Sequence, residues 1–329
     1  MKSSLHKVMQ QIAYVLPDST AGIDDEISGL DQNRRYSPRL YFNYFALLQG
    51  MARSDAQAVA ARCASLRACL HSPYADSFEV REQIDDIAQA FLRAQYVATK
   101  SDANFQNFDA GADDVDSQIA IARCVATSAR RHIAELETAL ATTEPHLADE
   151  LASLVSVVQL MPDSFHAEAA SSLSAFGMVV VRPPQQNLRE AHQRFFYFDR
   201  VIHESAHIYL NMLMTFDPLV TNGATLALSP ARQTLRPVKG VLHAHFVFFR
   251  LLHAYRHAPE SIRNTDAPCP SPRDIAQLSL AGLPLSFAVR ENVYFDKFMQ
   301  GDAILRSSAH FTQRGACMLD SMREAVCHV

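Results

Sequence analysis

His203-Glu204-Ser205-Ala206-His207 sets two imidazoles four residues apart, with a carboxylate beside the first. On a helix that spacing puts both rings on one face, where they can aim at a single metal ion. Glu204 lies about 100° round the helix from His203, placed to reach a metal-bound water or orient a neighbouring group. Val201, Ile202, Ile208 and Leu210 flank the motif. Such flanks predict a buried helix, on which two histidines need partners. A surface helix with two titrating histidines is the plainer reading, and the apolar flanks oppose it.

The third ligand separates the chemistries that share this motif. Leu210 and Leu213 stand where the HExxHxxGxxH pattern needs Gly and His, which excludes that class of metallopeptidase. Residues 208–259 contain no Glu and one Asp, Asp217, so the downstream glutamate of thermolysin-like enzymes is missing. The same stretch carries His243, His245, His253 and His257. His243 falls in the first turns of a helix expected to open at Pro237, and His245 lies roughly 200° round from it, so one of the two can serve. His253 and His257 are expected to cap, stack or face solvent. Should the site follow the two-His-one-carboxylate rule, Asp217 or Glu204 must supply the carboxylate. The other charges here are Arg232, Arg236, Lys239, Arg250 and Arg256. Five cations against one anion favour a small anionic ligand, ideally a carboxylate in an arginine fork. That field suits an oxygenase chelating a keto-acid better than a hydrolase.

The elements that must hold these residues read as mostly helical. Apolar residues recur every three or four positions over 38–70, 81–98, 117–140 and 145–160, with Ser54–Asp55 as an N-cap inside the first window. Residues 188–214 predict one long helix carrying the motif, and Pro237 opens another that ends before Pro259. The segment ASSLSAFGMVVV (170–181) ends in a β-branched run before Pro183–Pro184, which predicts an edge strand and the one clear strand of the chain. Polar residues 101–116 and the segment APCPSPRD read as connections, with two or three helices in the last 70 residues. The expected fold is mainly α, a helical bundle-like body with a small β element next to the HExxH helix. A helical N-terminal lobe (1–165) and a metal-binding catalytic lobe (166–329) would form one compact body.

Composition narrows the class. The chain has 329 residues, 48% of them hydrophobic, and 30 basic against 35 acidic residues give a net charge of −5. That balance argues against nucleic acid as a partner. Six cysteines without a CxxC pair fit a reducing compartment rather than a disulfide framework. No apolar run is long enough to cross a bilayer and the first residues have no signal-peptide core, so a cytoplasmic protein without a membrane partner is expected.

Four pieces in order carry a family resemblance: PRLYFNYFALLQGM from Pro38; Ser171-Ser172 with Gly177-Met178-Val179-Val180-Val181; the HESAH motif; and Ser229-Pro230-Ala231-Arg232 with Arg236-Pro237 and Gly240-Val241-Leu242-His243-Ala244. Over roughly 38–250 the chain resembles the HExxH-type 2-oxoglutarate-dependent peptide β-hydroxylases of modified-peptide biosynthesis. The resemblance implies an Fe(II) enzyme that uses O₂ and 2-oxoglutarate to hydroxylate a side-chain β-carbon of a peptide, such as a ribosomal precursor peptide. It implies His203 and His207 as iron ligands, His243 as the best third ligand, and Arg232 and Arg236 as the grip on the distal carboxylate of the keto-acid. Ala231 departs from the pattern, because the family often has Trp in this segment and this chain has none.

Ser171 and Ser172, at the head of the predicted edge strand, are candidate substrate contacts if an extended peptide adds to that edge. The alternatives are core structure for the strand and a capping role for the serines. Two other functions compete: a zinc metallopeptidase with Glu204 as general base, and a helical interaction protein whose histidines are structural.

Overall fold

The computed structural model describes residues 9, 26–27, 36–70, 79–98, 121–265 and 286–327. The polar connection 101–116 and the APCPSPRD segment lie outside the described residues. The chain is mainly helical, as expected, and divides into two compact units: residues 1–121 with 152–182, and residues 122–151 with 183–329. This interleaved division replaces the expected cut near residue 165.

In the first unit, helices α1 (Pro38–Ala52) and α2 (Ala56–Leu70) are separated where the Ser54–Asp55 signal predicts. Ser54 takes a positive φ of 56°, and the Asp55 carboxylate accepts from the Ala58 N–H at 2.9 Å. Strand β1 (Glu79–Arg81) and helix α3 (Asp86–Ala98) follow, then β2 (Val157–Leu160), β3 (Ala169–Ser171) and β4 (Met178–Val181). The sheet runs β1-β2-β4-β3, parallel except for the β3–β4 pair.

Three expectations are corrected here. Residues 157–160, and Arg81 at the head of the expected 81–98 helix, are strand rather than helix, with Glu79 and Val80 joining Arg81 in β1. Val157 and Val158 pair in parallel with Met178 and Val179, a partner some twenty residues downstream that no local periodicity announces. Residues 178–181 are not an edge: β4 lies between β2 and β3 and is buried throughout. A strand covered on both faces reads as a continuous apolar run, and the prolines that suggested an edge come after it rather than within it. Both sides of β4 are taken, so a peptide cannot add there. Gly177 enters the strand at φ 88°, and a Cβ on it would stand 2.8 Å from Ser156 Oγ.

The second unit holds α4 (Arg123–Thr143), most of α5 (Pro145–Leu154), α6 (Glu190–Met214), the hairpin β5 (Leu226–Ser229) and β6 (Thr234–Pro237), and α7 (Val238–Arg256). Helices α8 (Glu260–Arg263), α9 (Phe287–Ser308) and α10 (Gln313–Cys327) follow among the described residues. Helix α7 packs against α6 and α9, burying Phe198, Val201, Leu242, Phe246, Leu251, Tyr255 and Phe298. The β element in the motif helix's own unit is thus the hairpin rather than β4. Among the described residues no helix is long and apolar enough to cross a membrane. Cys63, Cys69, Cys124, Cys317 and Cys327 are free thiols.

The loop after α6 is tied to α10 through Asp217. Its carboxylate accepts from the Leu219 N–H at 2.7 Å and the Thr312 hydroxyl at 2.8 Å, and these donors hold its pKa below the ordinary value. Leu219 sits at φ 63°, and its carbonyl would be 2.0 Å from a Cβ on Gly315. Gly315→Ala is expected to cost about 1–3 kcal/mol or more, because backbone on both sides must move. Chemical denaturation measures it, and an unchanged midpoint would refute the close approach.

Candidate metal centre

Helix α6 is apolar over much of its circumference, with Phe195, Phe198, Val201, Ile202, Ile208 and Leu210 buried. That burial fixes its rotation and aims His203 and His207 together. Their ring centroids are 5.1 Å apart. Helix α7 brings His243 to the same place, its ring stacked on His207 at 5.8 Å and 28°. Two rings held by one ion through nitrogens at about 2.1 Å have centroids about 5 Å apart at a tetrahedral angle. The observed separations are of that size. The nitrogens are drawn in less tightly, since the three are not among the ligand groups whose atoms all lie within 4.8 Å of one another. Ring rotation would have to bring them onto one ion.

Two ring nitrogens of the trio, His203 Nδ1 and His243 Nε2, are buried with no hydrogen-bond partner. Burial pushes the His207 pKa down to about 4. Burial, His207 and Lys239 take His243 down to about 3. His203 is held well below the ordinary value by burial, Arg200 and His207. All three imidazoles are therefore neutral near pH 7, with lone pairs available to a metal. Three neutral imidazoles, two of them with an orphaned nitrogen, fit a divalent transition metal. Glu204 is buried between them in sequence, 5% exposed.

His245 separates from His243 as the helical angle requires. It is buried against α9, stacked on Phe298 at 4.2 Å and 15°, and a Cβ on Gly301 would approach its Nδ1 to 3.0 Å. Asp217 is engaged by Leu219 and Thr312, as described above. No protein-family model matches the chain, and no curated protein matches it.

The five cations divide into two groups. Arg250 pairs with Glu150, and Arg256 donates to the Ala325 and Val326 carbonyls at the end of α10. Arg232 lies exposed in the hairpin turn, Arg236 is partly exposed on β6, and Lys239 is exposed in the first turn of α7. Those three make no ion pair among the described residues. Arg236 faces Ala227 across the hairpin. Ala227 is buried while Leu226, Leu228 and Leu235 are exposed, so Arg236 shares the inward face. The hairpin packs on α7.

Ser171 and Ser172 belong to the first unit. Ser171 ends β3, and Ser172 is buried and caps a short 3₁₀ turn, its Oγ accepting from the Ser174 N–H at 3.2 Å.

A buried network just before His203 escaped sequence reasoning. Asp199 is fully buried and accepts from Arg200 Nε at 2.7 Å, Arg290 Nη1 at 2.7 Å, the Tyr294 hydroxyl at 3.1 Å and the Tyr255 hydroxyl. Burial alone would raise its pKa. The two guanidiniums and the Tyr255 hydroxyl outweigh that and hold it well below the carboxylate range. One turn before His203, the network joins α6 to α7 and α9 and fixes the motif's depth. Its one sequence signal is an isolated Asp-Arg pair inside the apolar run FFYFDRVI.

Proposed function

We propose that the chain is a cytoplasmic Fe(II)- and 2-oxoglutarate-dependent oxygenase that hydroxylates a side-chain β-carbon of a peptide in modified-peptide biosynthesis. A ribosomal precursor peptide is the proposed substrate. The observation that carries this reading is the arrival of His243 beside His203 and His207, on a helix packed by a hairpin whose Arg232 and Arg236 make no ion pair among the described residues. His203, His207 and His243 would hold the iron. When bound, that iron supplies the chemistry that sets O₂ against an unactivated C–H bond. Arg236, on the inward face of the hairpin, is the stronger candidate for the distal carboxylate of 2-oxoglutarate, and Arg232 in the exposed turn is the weaker one. The buried Glu204 would orient a water or the peptide backbone. One observation favours a second reading: a three-imidazole set suits zinc as well as iron, and with zinc Glu204 becomes the general base of a peptidase.

Anaerobic addition of Fe(II) and then 2-oxoglutarate separates the two. A visible metal-to-ligand charge-transfer band is expected, absent in the His203→Ala, His207→Ala variant. Arg236→Ala should weaken 2-oxoglutarate binding about 10- to 100-fold, the loss of one charge-assisted contact. No band, together with tightly held zinc in the protein as isolated, would overturn the oxygenase and favour the peptidase.

A further inference from the structure

The geometry points to a second metal site, remote in sequence from the HExxH motif, in which His253, His257 and Glu144 hold a divalent transition ion of the zinc class. One ligand atom from each of the three lies within 4.8 Å of the other two, and all three residues are partly exposed, so an ion can enter from solvent.

The spacing of His253 and His257 is that of His203 and His207: four residues on one helical face, with ring centroids 4.9 Å apart. Glu144 comes from a different element. It caps the C-terminus of α4 and directly precedes Pro145, the first residue of α5. Two helices thus restrict its backbone, and little freedom remains to be lost on binding. His257 Nδ1 stands 3.7 Å from Glu144 Oε2. That is too long for a hydrogen bond. Two ligands about 2.1 Å from a tetrahedral ion stand about 3.4 Å apart, close to the separation observed.

Glu144 is the C-cap of α4 and His257 the C-cap of α7. The partial negative charge at the end of α7 favours a cation, while at Glu144 the end of α4 is offset by the start of α5. Arg250 and Arg256 lie nearby and would oppose an ion, but each already has a partner, in Glu150 and in the carbonyls closing α10. Burial, with Arg250 next, lowers the His253 pKa and keeps that ring neutral.

The other compact group, His132, Glu135 and Glu190, does not meet the same conditions. Arg194 reaches both Glu135 and Glu190, and Arg131 pairs with Glu190. Cations of the protein already fill the place an ion would take. At His253, His257 and Glu144 three protein ligands leave at least one position to water. An ion there would clasp the α4–α5 junction to the end of α7.

The test counts Zn²⁺ by titration calorimetry and native mass spectrometry in the full chain carrying His203→Ala and His207→Ala, so the result does not depend on the HExxH centre. One Zn²⁺ per chain is expected, with a rise in melting temperature. Adding His253→Ala and His257→Ala should remove both. Glu144→Gln, a near-isosteric change at a partly exposed position, should weaken binding by about 100-fold or more, beyond the loss typical of a supporting hydrogen bond, while circular dichroism shows the fold retained. No Zn²⁺ in the doubly substituted background would overturn the site, and so would undiminished binding in the fourfold variant.

Discussion

Asp199→Ala is expected to destabilise the second unit by about 3–5 kcal/mol, the cost of leaving a buried charge without its partner. Arg290 is 2% exposed and pairs with Asp199, so truncation takes the carboxylate from a buried guanidinium and releases two tyrosine hydroxyls. Asp199→Asn keeps the shape but not the charge, and should recover a minor part of the loss. The pH dependence has a definite sign. The folded pKa is depressed, so the stabilisation is complete above the unfolded carboxylate value of about 4 and is lost as pH falls from there toward the folded value. The gap between the native protein and Asp199→Asn should therefore be constant from pH 5 to 8 and narrow below about pH 4. Urea denaturation across that range measures it. A loss under about 1 kcal/mol at pH 7 would mean that the network closes no more tightly than a surface ion pair.

That network shows where sequence reasoning stops. Helices α6 and α7 are legible because their apolar period repeats over many turns, and the roughly 200° between His243 and His245 sorts one toward the motif and the other toward Phe298. Whatever depends on a distant partner is not legible. Val157 and Val158 continue a helix-like window and become strand through Glu79 and Val80 on one side and Met178 and Val179 on the other. Arg250 and Arg256 count as site cations in the sequence, yet Glu150 and the end of α10 take them. Asp199 meets Arg290 and Tyr294 across more than 90 residues. The His-Glu group at 253, 257 and 144 escapes for the same reason, its glutamate lying over 100 residues before its histidines. Helical spacing gives the facing pairs. Tertiary packing decides which charges are spent.

His243→Leu should separate the cost of the metal centre from its use. An orphaned nitrogen does not by itself mark a ligand, since His245, away from the trio, has both ring nitrogens buried without a partner. His243 Nε2 is buried without a partner, as is His203 Nδ1, and each orphaned nitrogen costs about 1–3 kcal/mol of desolvation. An apolar side chain of similar size removes that cost. The metal-free His243→Leu protein should therefore be as stable as the native metal-free protein, or more so by up to about 2 kcal/mol. The same substitution should lower the affinity of the HExxH centre for Fe(II) or Co(II) by about 100-fold or more, since losing a direct ligand exceeds the 10- to 100-fold loss typical of its supporting hydrogen bonds. Metal-dependent stabilisation from this centre should vanish with it. Opposite signs in the two measurements mark a site where folding stability is given up for a ligand. A His243→Leu protein that loses several kcal/mol without metal, yet binds metal as before, would make the ring a packing element and leave the trio without its third member.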